Sequence, residues 1–376
     1  MQLIKNPFVT SGYVSAEYFC NRQKESQIVI NEIINGNNIA IVSTRRMGKT
    51  GLIQHCFHSK ELSKAYYKFY IDIYATHSVR DFVFSLSKVI LEALKPFGKK
   101  AMEKFLDAVL SIQTGITFDV AGNPFFNVRL GDIRNIDVTL DEIFNYLSAA
   151  GKPCIVAIDE FQQITSYPEK NIEALLRTHM QRCNNAIFIF AGSRRHTIGN
   201  MFLSASRPFY QSVSMLYLDS IELDKYADFA RLHFNRVGKD ITPDTISAVY
   251  KQFKGVTWYI QKILNVLYTL TPTGETCDIS VVREAVTSII ESYKYVFQEM
   301  LFRLPAKQKE LLIAIAKEGE AHAITSGDFV KKYGLTSASS VQSALRGLME
   351  KDFITVESDT YQVYDQFLNS WIRDNY

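Results

Sequence analysis

Two short clusters of residues in this 376-residue chain carry types and spacings suited to phosphate chemistry. The first is Ser43-Thr44-Arg45-Arg46-Met47-Gly48-Lys49-Thr50, followed by Gly51. It meets the Gly-x4-Gly-Lys-Ser/Thr pattern of a phosphate-binding loop everywhere except its first position, where serine stands for glycine. Gly48 lets backbone N–H groups of a helix N-terminus approach an anion, the Lys49 ammonium reaches β and γ oxygens, and the Thr50 hydroxyl is a magnesium ligand. Arg46, Met47, Gly48, Lys49, Thr50 and Gly51 are therefore the candidate nucleotide-binding residues. Ser43, with a Cβ that resists positive φ, is expected to alter the shape of the loop. The second cluster is the apolar run Cys154 to Ile158 ending in Asp159 and Glu160. A carboxylate at a strand tip can hold the metal, a role that falls to Asp159 with Thr50, and a second can orient and deprotonate the attacking water, which falls to Glu160. Each cluster alone has a plain reading, a surface turn or a helix cap; together they describe one site.

A third group is looser. After the apolar run Ala186 to Gly192 come Ser193, Arg194, Arg195 and His196. Ser193, at the tip of a neighbouring strand, is the candidate sensor of the γ-phosphate or the lytic water. An arginine facing the transition-state charge could be Arg207, Arg194 or Arg195.

These residues need a scaffold of strands that end at one edge. The burst Asn38–Val42 leads through the loop into a helix beginning GLIQHCF; Tyr67–Tyr74 reads as a strand, with a helix from Val79 to about Leu94. A helix opened by Thr139 and Glu142 runs to about Ala150, before the strand at 154–158; a helix near 172–183, the strand 186–192 and a last strand at 213–218 follow. Strand–helix alternation implies a parallel sheet. Ile116–Leu130 interrupts it with two alternating segments about Gly122, Asn123 and Pro124, an inserted hairpin. Beyond Leu223 strand signals stop and helices are expected at about 223–237, 243–253, 256–270 and 279–303. From Pro305, three helices and a two-stranded wing read as a winged helix. The expected organisation is an α/β P-loop NTPase core with a parallel sheet (1–220), a helical lid (221–304) and a winged-helix domain (305–376).

Composition sets outer limits. Lys and Arg number 42 against 39 Asp and Glu, a net charge of +3 that creates no field to recruit nucleic acid or anionic lipid. The five cysteines form no C-x-x-C pair, so neither a zinc site nor a disulfide framework is expected. No apolar run approaches the roughly 18 residues of a membrane span, and a cytoplasmic protein is expected.

Taken together, NPF at 6–8, FCNRQKE at 19–25, RRMGKT, IDEFQQI, AGSRRH, RPFY, GVTWYIQ and the winged helix resemble the archaeal-type ATPases related to AAA+ proteins and to the signal-transduction (STAND) ATPases. The resemblance spans nearly the whole chain. It implies that Phe19 and Arg22 contact adenine, favouring ATP over GTP, and that Gly255–Gln261 opens a lid helix over the nucleotide. This segment has no arginine, and Trp258 and Tyr259 read as core residues.

The expected cofactors are ATP and Mg2+. The favoured function is slow ATP hydrolysis driving a conformational switch on a protein partner or in self-association. The alternative is a DNA-binding ATPase resembling origin-recognition proteins. From 305 to 376 there are eight Lys or Arg and ten Asp or Glu, and 8 − 10 = −2, whereas a DNA reader shows a basic face. A scaffold without turnover is disfavoured by the intact Lys49, Thr50, Asp159 and Glu160.

Overall fold

The computed structural model of the protein describes residues 6–94, 116–118, 124–126, 135–357 and 359–376. Its contacts divide into two compact units, residues 1–229 with 255–261, and residues 230–254 with 262–376.

The first unit is built on β1 (Ile39–Val42), β2 (Tyr67–Asp72), β3 (Ile116–Phe118), β4 (Pro124–Phe126), β5 (Cys154–Asp159), β6 (Ala186–Gly192) and β7 (Ser214–Tyr217). Five of them form a parallel sheet in the order β2-β5-β6-β1-β7. β1 and β5 are buried along their whole length, as near-continuous apolar runs in a sheet covered on both faces must be. Their alternate side chains feed two cores. Ala40, Val42, Val156, Ile158 and Phe190 point to one face, where helices 79–93, 136–148 and 172–182 bury Phe82, Ile143 and Leu176. Ile39, Ile41, Ile155, Ala157 and Ile189 point to the other, where helices 23–34 and 49–57 bury Ile33 and Leu52. β3 and β4 pair antiparallel with Ile116 opposite Phe126, so the inserted hairpin forms; its expected turn at 122–123 and its end at 127–130 lie outside the described residues.

Helix 136–148 begins earlier than a capping box at Thr139 predicts. Asn135 is its cap, accepting from the N–H groups of Asp137 and Val138, while Thr139 sits in the first turn and donates to the Asn135 carbonyl at 2.8 Å. An Asn directly before Ile136, the first residue of the helix, is the stronger cap.

In the second unit, β8 (Asp240–Ile241) and β9 (Thr276–Cys277) pair in parallel where no strand is expected, too short to leave a periodic signal. Helix 243–252 starts from a Thr242 cap with Pro243 in its first turn, and helix 280–302 is the longest described. The winged helix comprises helices 306–318, 327–332 and 338–350, with β10 (Ile354–Glu357) antiparallel to β11 (Thr360–Val363). A further helix at 366–375, absent from the sequence reading, is capped by Asp365 and buries Phe367, Trp371 and Ile372.

Candidate functional site

β6 lies between β1 and β5, so the loop after β1 and the carboxylates after β5 flank Ser193 at the tip of β6. Around them a cavity of about 300 Å³ is lined by Arg45, Gly48, Lys49, Thr50, Asp159 and Glu160, with Tyr13 and Phe19 at its apolar end.

The phosphate loop is shaped by Arg46 (φ 67°) and Gly48 (φ 93°); Ser43 is not among the residues with positive φ. Ser43 therefore fits without backbone strain, contrary to expectation. It is fully buried, its N–H donates to the Gly192 carbonyl at 3.3 Å, and its hydroxyl faces Lys49 Nζ at 3.4 Å. Lys49 opens helix 49–57 and is buried. Burial lowers its pKa, Glu160 and Asp159 pull it back up, and Arg45 lowers it further.

Thr50 Oγ1 donates to Asp159 Oδ2 at 2.7 Å. Tyr70 donates to that same oxygen at 2.6 Å, with its hydroxyl 3.4 Å from Thr50 Oγ1. Tyr70 was not anticipated: it stands on β2 inside an apolar-looking strand, and only the β2–β5 pairing brings it to the site. Its pKa is raised by burial first, then by Asp159. Asp72, opposite Asp159 in the register, is likewise raised by burial and by the Asp159 and Glu160 charges, against the Tyr74 N–H that it accepts. A hydroxyl and a carboxylate, hard oxygen donors beside an anion-binding helix start, fit Mg2+.

Glu160 has φ 55°, a left-handed conformation unusual for a side-chain residue. Its Oε2 accepts from Ser193 Oγ at 2.6 Å and from the Gln162 amide. Gln162 is 5% exposed and packs where Gly192 leaves room: a Cβ on Gly192 would stand 2.3 Å from Gln162 Oε1 and 2.6 Å from Ile198. Gln162 and Gly192 were also missed, although both lie beside predicted residues.

The other candidates are placed as follows. Phe19 stacks on His55 at 4.3 Å between centroids and lies against Gly51, whose absent Cβ would stand 3.4 Å from its ring. Tyr13 bonds His55 Nδ1 at 3.1 Å. Arg22 is buried and braces the loop, donating to the Met47 carbonyl at 3.2 Å and to Glu25 at 2.7 Å. Arg46 lies over Trp258, so Trp258 and Tyr259 meet the phosphate loop as well as packing in the fold. Arg207 is ion-paired with Glu173, and Arg195 bonds the Leu218 carbonyl and Asp219. Arg194, Arg195 and Arg207 are not among the residues that line the cavity.

No significant match was found among curated proteins. The fold is shared with a Walker-type ATPase of Pyrococcus abyssi (TM-score 0.63, 17% identity, 98% of this chain and 99% of that one covered). It is shared too with the ORC2 protein of Aeropyrum pernix in ADPNP–ADP complexes (TM-score 0.59, 14% identity, 98% and 95% covered). The ORC1 protein of Aeropyrum pernix in complex with DNA is a third similar structure (TM-score 0.54, 12% identity, 95% and 92% covered). Residues 295–374 match a family described as a probable winged helix domain. Residues 19–263, with the loop, the acidic pair and the polar strand tip, match the family described as ATPase domain predominantly from Archaea, and the chain belongs to that family of ATP-hydrolysing P-loop enzymes.

Proposed function

We propose that the chain binds MgATP at Ser43–Gly51, hydrolyses it slowly by itself, and uses the cycle as a conformational switch on a protein partner. The observation that carries the reading is the convergence of Thr50, Asp159, Lys49 and the Ser193-held Glu160 on one cavity. Backbone N–H groups after Gly48 and the buried Lys49 charge bind the phosphates. Thr50 and Asp159 hold Mg2+, which when bound neutralises charge on the phosphate oxygens. Glu160, with Oε2 occupied by two donors, presents Oε1 as the acceptor for a proton of the attacking water. Tyr13, Tyr18 and Phe19 form an apolar wall for adenine. Slow turnover is inferred because the arginines that line the cavity are engaged by the protein, Arg22 with Met47 and Glu25, Arg45 over Tyr74 and Arg46 over Trp258, while Arg194, Arg195 and Arg207 do not line it. An arginine from a partner or a second copy would then accelerate hydrolysis.

The test is phosphate release from MgATP with ATP affinity measured in parallel. Glu160→Gln should bind ATP and lose about 10²- to 10⁴-fold in turnover; Lys49→Ala should lose binding. Equal binding by wild type and Lys49→Ala would refute the site.

Likeness to the DNA-bound ORC1 structure favours a second reading, DNA binding through the winged helix. Its charge speaks against this. Lys332 is paired with Glu318, Lys351 bonds Gln308, and helix 338–350 has Arg346 as its one cation. A gel shift with arbitrary duplex should show no binding at about 150 mM salt, and binding that weakens steeply as salt is raised would reverse the preference.

A further inference from the structure

The segment at the start of helix 257–270 does more than wall the cavity. Arg46 holds φ 67° in the phosphate loop, a conformation that a side-chain residue keeps only when its surroundings impose it. Those surroundings come from residues 257–259. The Trp258 N–H donates to the Arg46 carbonyl at 3.1 Å, and Thr257 Oγ1 donates to the next carbonyl, Met47, at 3.2 Å. The Arg46 guanidinium lies 4.3 Å from the centroid of the Trp258 ring and 5.0 Å from that of Tyr259, and donates to the Tyr259 hydroxyl. Trp258 is itself fixed from behind, its indole N–H donating to the Thr10 carbonyl at 3.0 Å and its ring standing edge-on to Tyr259 at 5.2 Å. Gly48, the other left-handed residue of the loop, backs onto Thr257, where a Cβ would stand 3.7 Å from the methyl group.

We propose that Trp258 is a positioning residue for the phosphate loop, acting through Arg46 to hold the turn that aims the loop's N–H groups. A planar guanidinium sandwiched by an indole and a phenol hydroxyl has one stable place, and its own backbone is the turn that must be held. Two main-chain acceptors in consecutive residues, Arg46 and Met47, are clasped by the same three-residue stretch. The arginine that the segment 255–261 lacks is thus supplied from the loop side, as a structural contact rather than a phosphate contact. The proposal rests on nucleotide phosphates binding at Ser43–Gly51.

The test is ATP affinity of Trp258→Leu, Trp258→Phe, Arg46→Ala and the Arg46→Ala/Trp258→Leu double variant, beside wild type and Lys49→Ala, with thermal melting of each. Trp258→Phe loses the indole N–H and keeps an aromatic face, so it separates the Thr10 bond from the stacking. Trp258→Leu and Arg46→Ala should each weaken ATP by about two- to thirtyfold, the range of a cation–π contact, while Trp258→Phe stays nearer to wild type. The double variant should be no weaker than either single one, since both remove one interaction. Thermally stable Arg46→Ala and Trp258→Leu that weaken ATP binding alike support positioning, and an ATP affinity of Trp258→Leu equal to wild type beside a weakened Arg46→Ala would assign Arg46 a direct phosphate contact and overturn the proposal. Additive losses in the double variant, or Trp258→Phe as impaired as Trp258→Leu, would overturn the proposal while wild type still outbinds Lys49→Ala. Equal binding by wild type and Lys49→Ala would remove the nucleotide reading and this proposal with it.

Discussion

Gly192→Ala tests the link between packing and catalysis most directly. A Cβ at 192 would lie 2.3 Å from Gln162 Oε1 and 2.6 and 2.7 Å from Ile198 Cγ1 and Cδ1, distances real contacts do not reach. Ile198 is fully buried in the core and can yield only by repacking, so overpacking should lower stability by about 1–3 kcal/mol. The Gln162 side chain is the easier group to displace, and displacement removes its amide from Glu160 Oε2. A hydrogen bond to a charged group contributes about 1.5–3 kcal/mol, so a base that loses it should lose about ten- to hundredfold in kcat. The assay is MgATP turnover at saturation together with urea unfolding in a Trp371→Phe background, where the remaining tryptophan, Trp258, reports on the first unit. Gln162→Leu gives the catalytic comparison without the clash at 192: it should reproduce the loss of kcat, and Gly192→Ala added to it should lower kcat no further. A destabilised Gly192→Ala with kcat within about twofold of wild type would refute the claim that Gln162 positions Glu160, because the expected loss is larger.

Two further outcomes follow from residues not anticipated in the sequence. Tyr70→Phe deletes the hydroxyl bonded to Asp159 Oδ2 at 2.6 Å; loss of a partner that orients a metal ligand should raise the Mg2+ concentration for half-maximal ATP binding by about tenfold, read by magnesium titration of nucleotide affinity. An unchanged titration would mean that Thr50 and the Glu160 N–H suffice to orient the carboxylate. For His55, burial and then His58 lower its pKa below 6.5, so the unfolded chain takes up the proton first. The stability that depends on neutral His55 is complete above pH 6.5 and is lost as pH falls from there toward the lower folded value. The urea midpoint of wild type should therefore drop relative to His55→Phe over that window, and parallel pH profiles would exclude the effect.

The parts of the site legible in the sequence are those whose signal is local. A phosphate loop announces itself by Gly48, Lys49 and Thr50 between an apolar burst and a helix, and the acidic pair by two charges ending a buried strand. Ser193 could be found because a polar residue closes an apolar run. Tyr70, Gln162 and Gly192 have no such mark. Tyr70 reads as one aromatic among several in Tyr67–Tyr74, and reaches Asp159 of the proposed metal site only because β2 is hydrogen-bonded to β5. Gly192 looks like the end of a strand, and its want of a side chain matters only because the end of β6 faces Gln162, which follows β5. Strand order is the missing quantity: alternation along the chain implies a parallel sheet but leaves open which strand lies beside which. The same limit explains Ser43. Pattern matching assigns its position to glycine, yet the left-handed turns fall on Arg46 and Gly48, and Arg46 is held there by residues more than two hundred positions away. A sequence motif records which groups must touch the ligand; the contacts that keep those groups in place are distributed by topology, and here they converge on the two residues of the loop whose backbone conformation is hardest to hold.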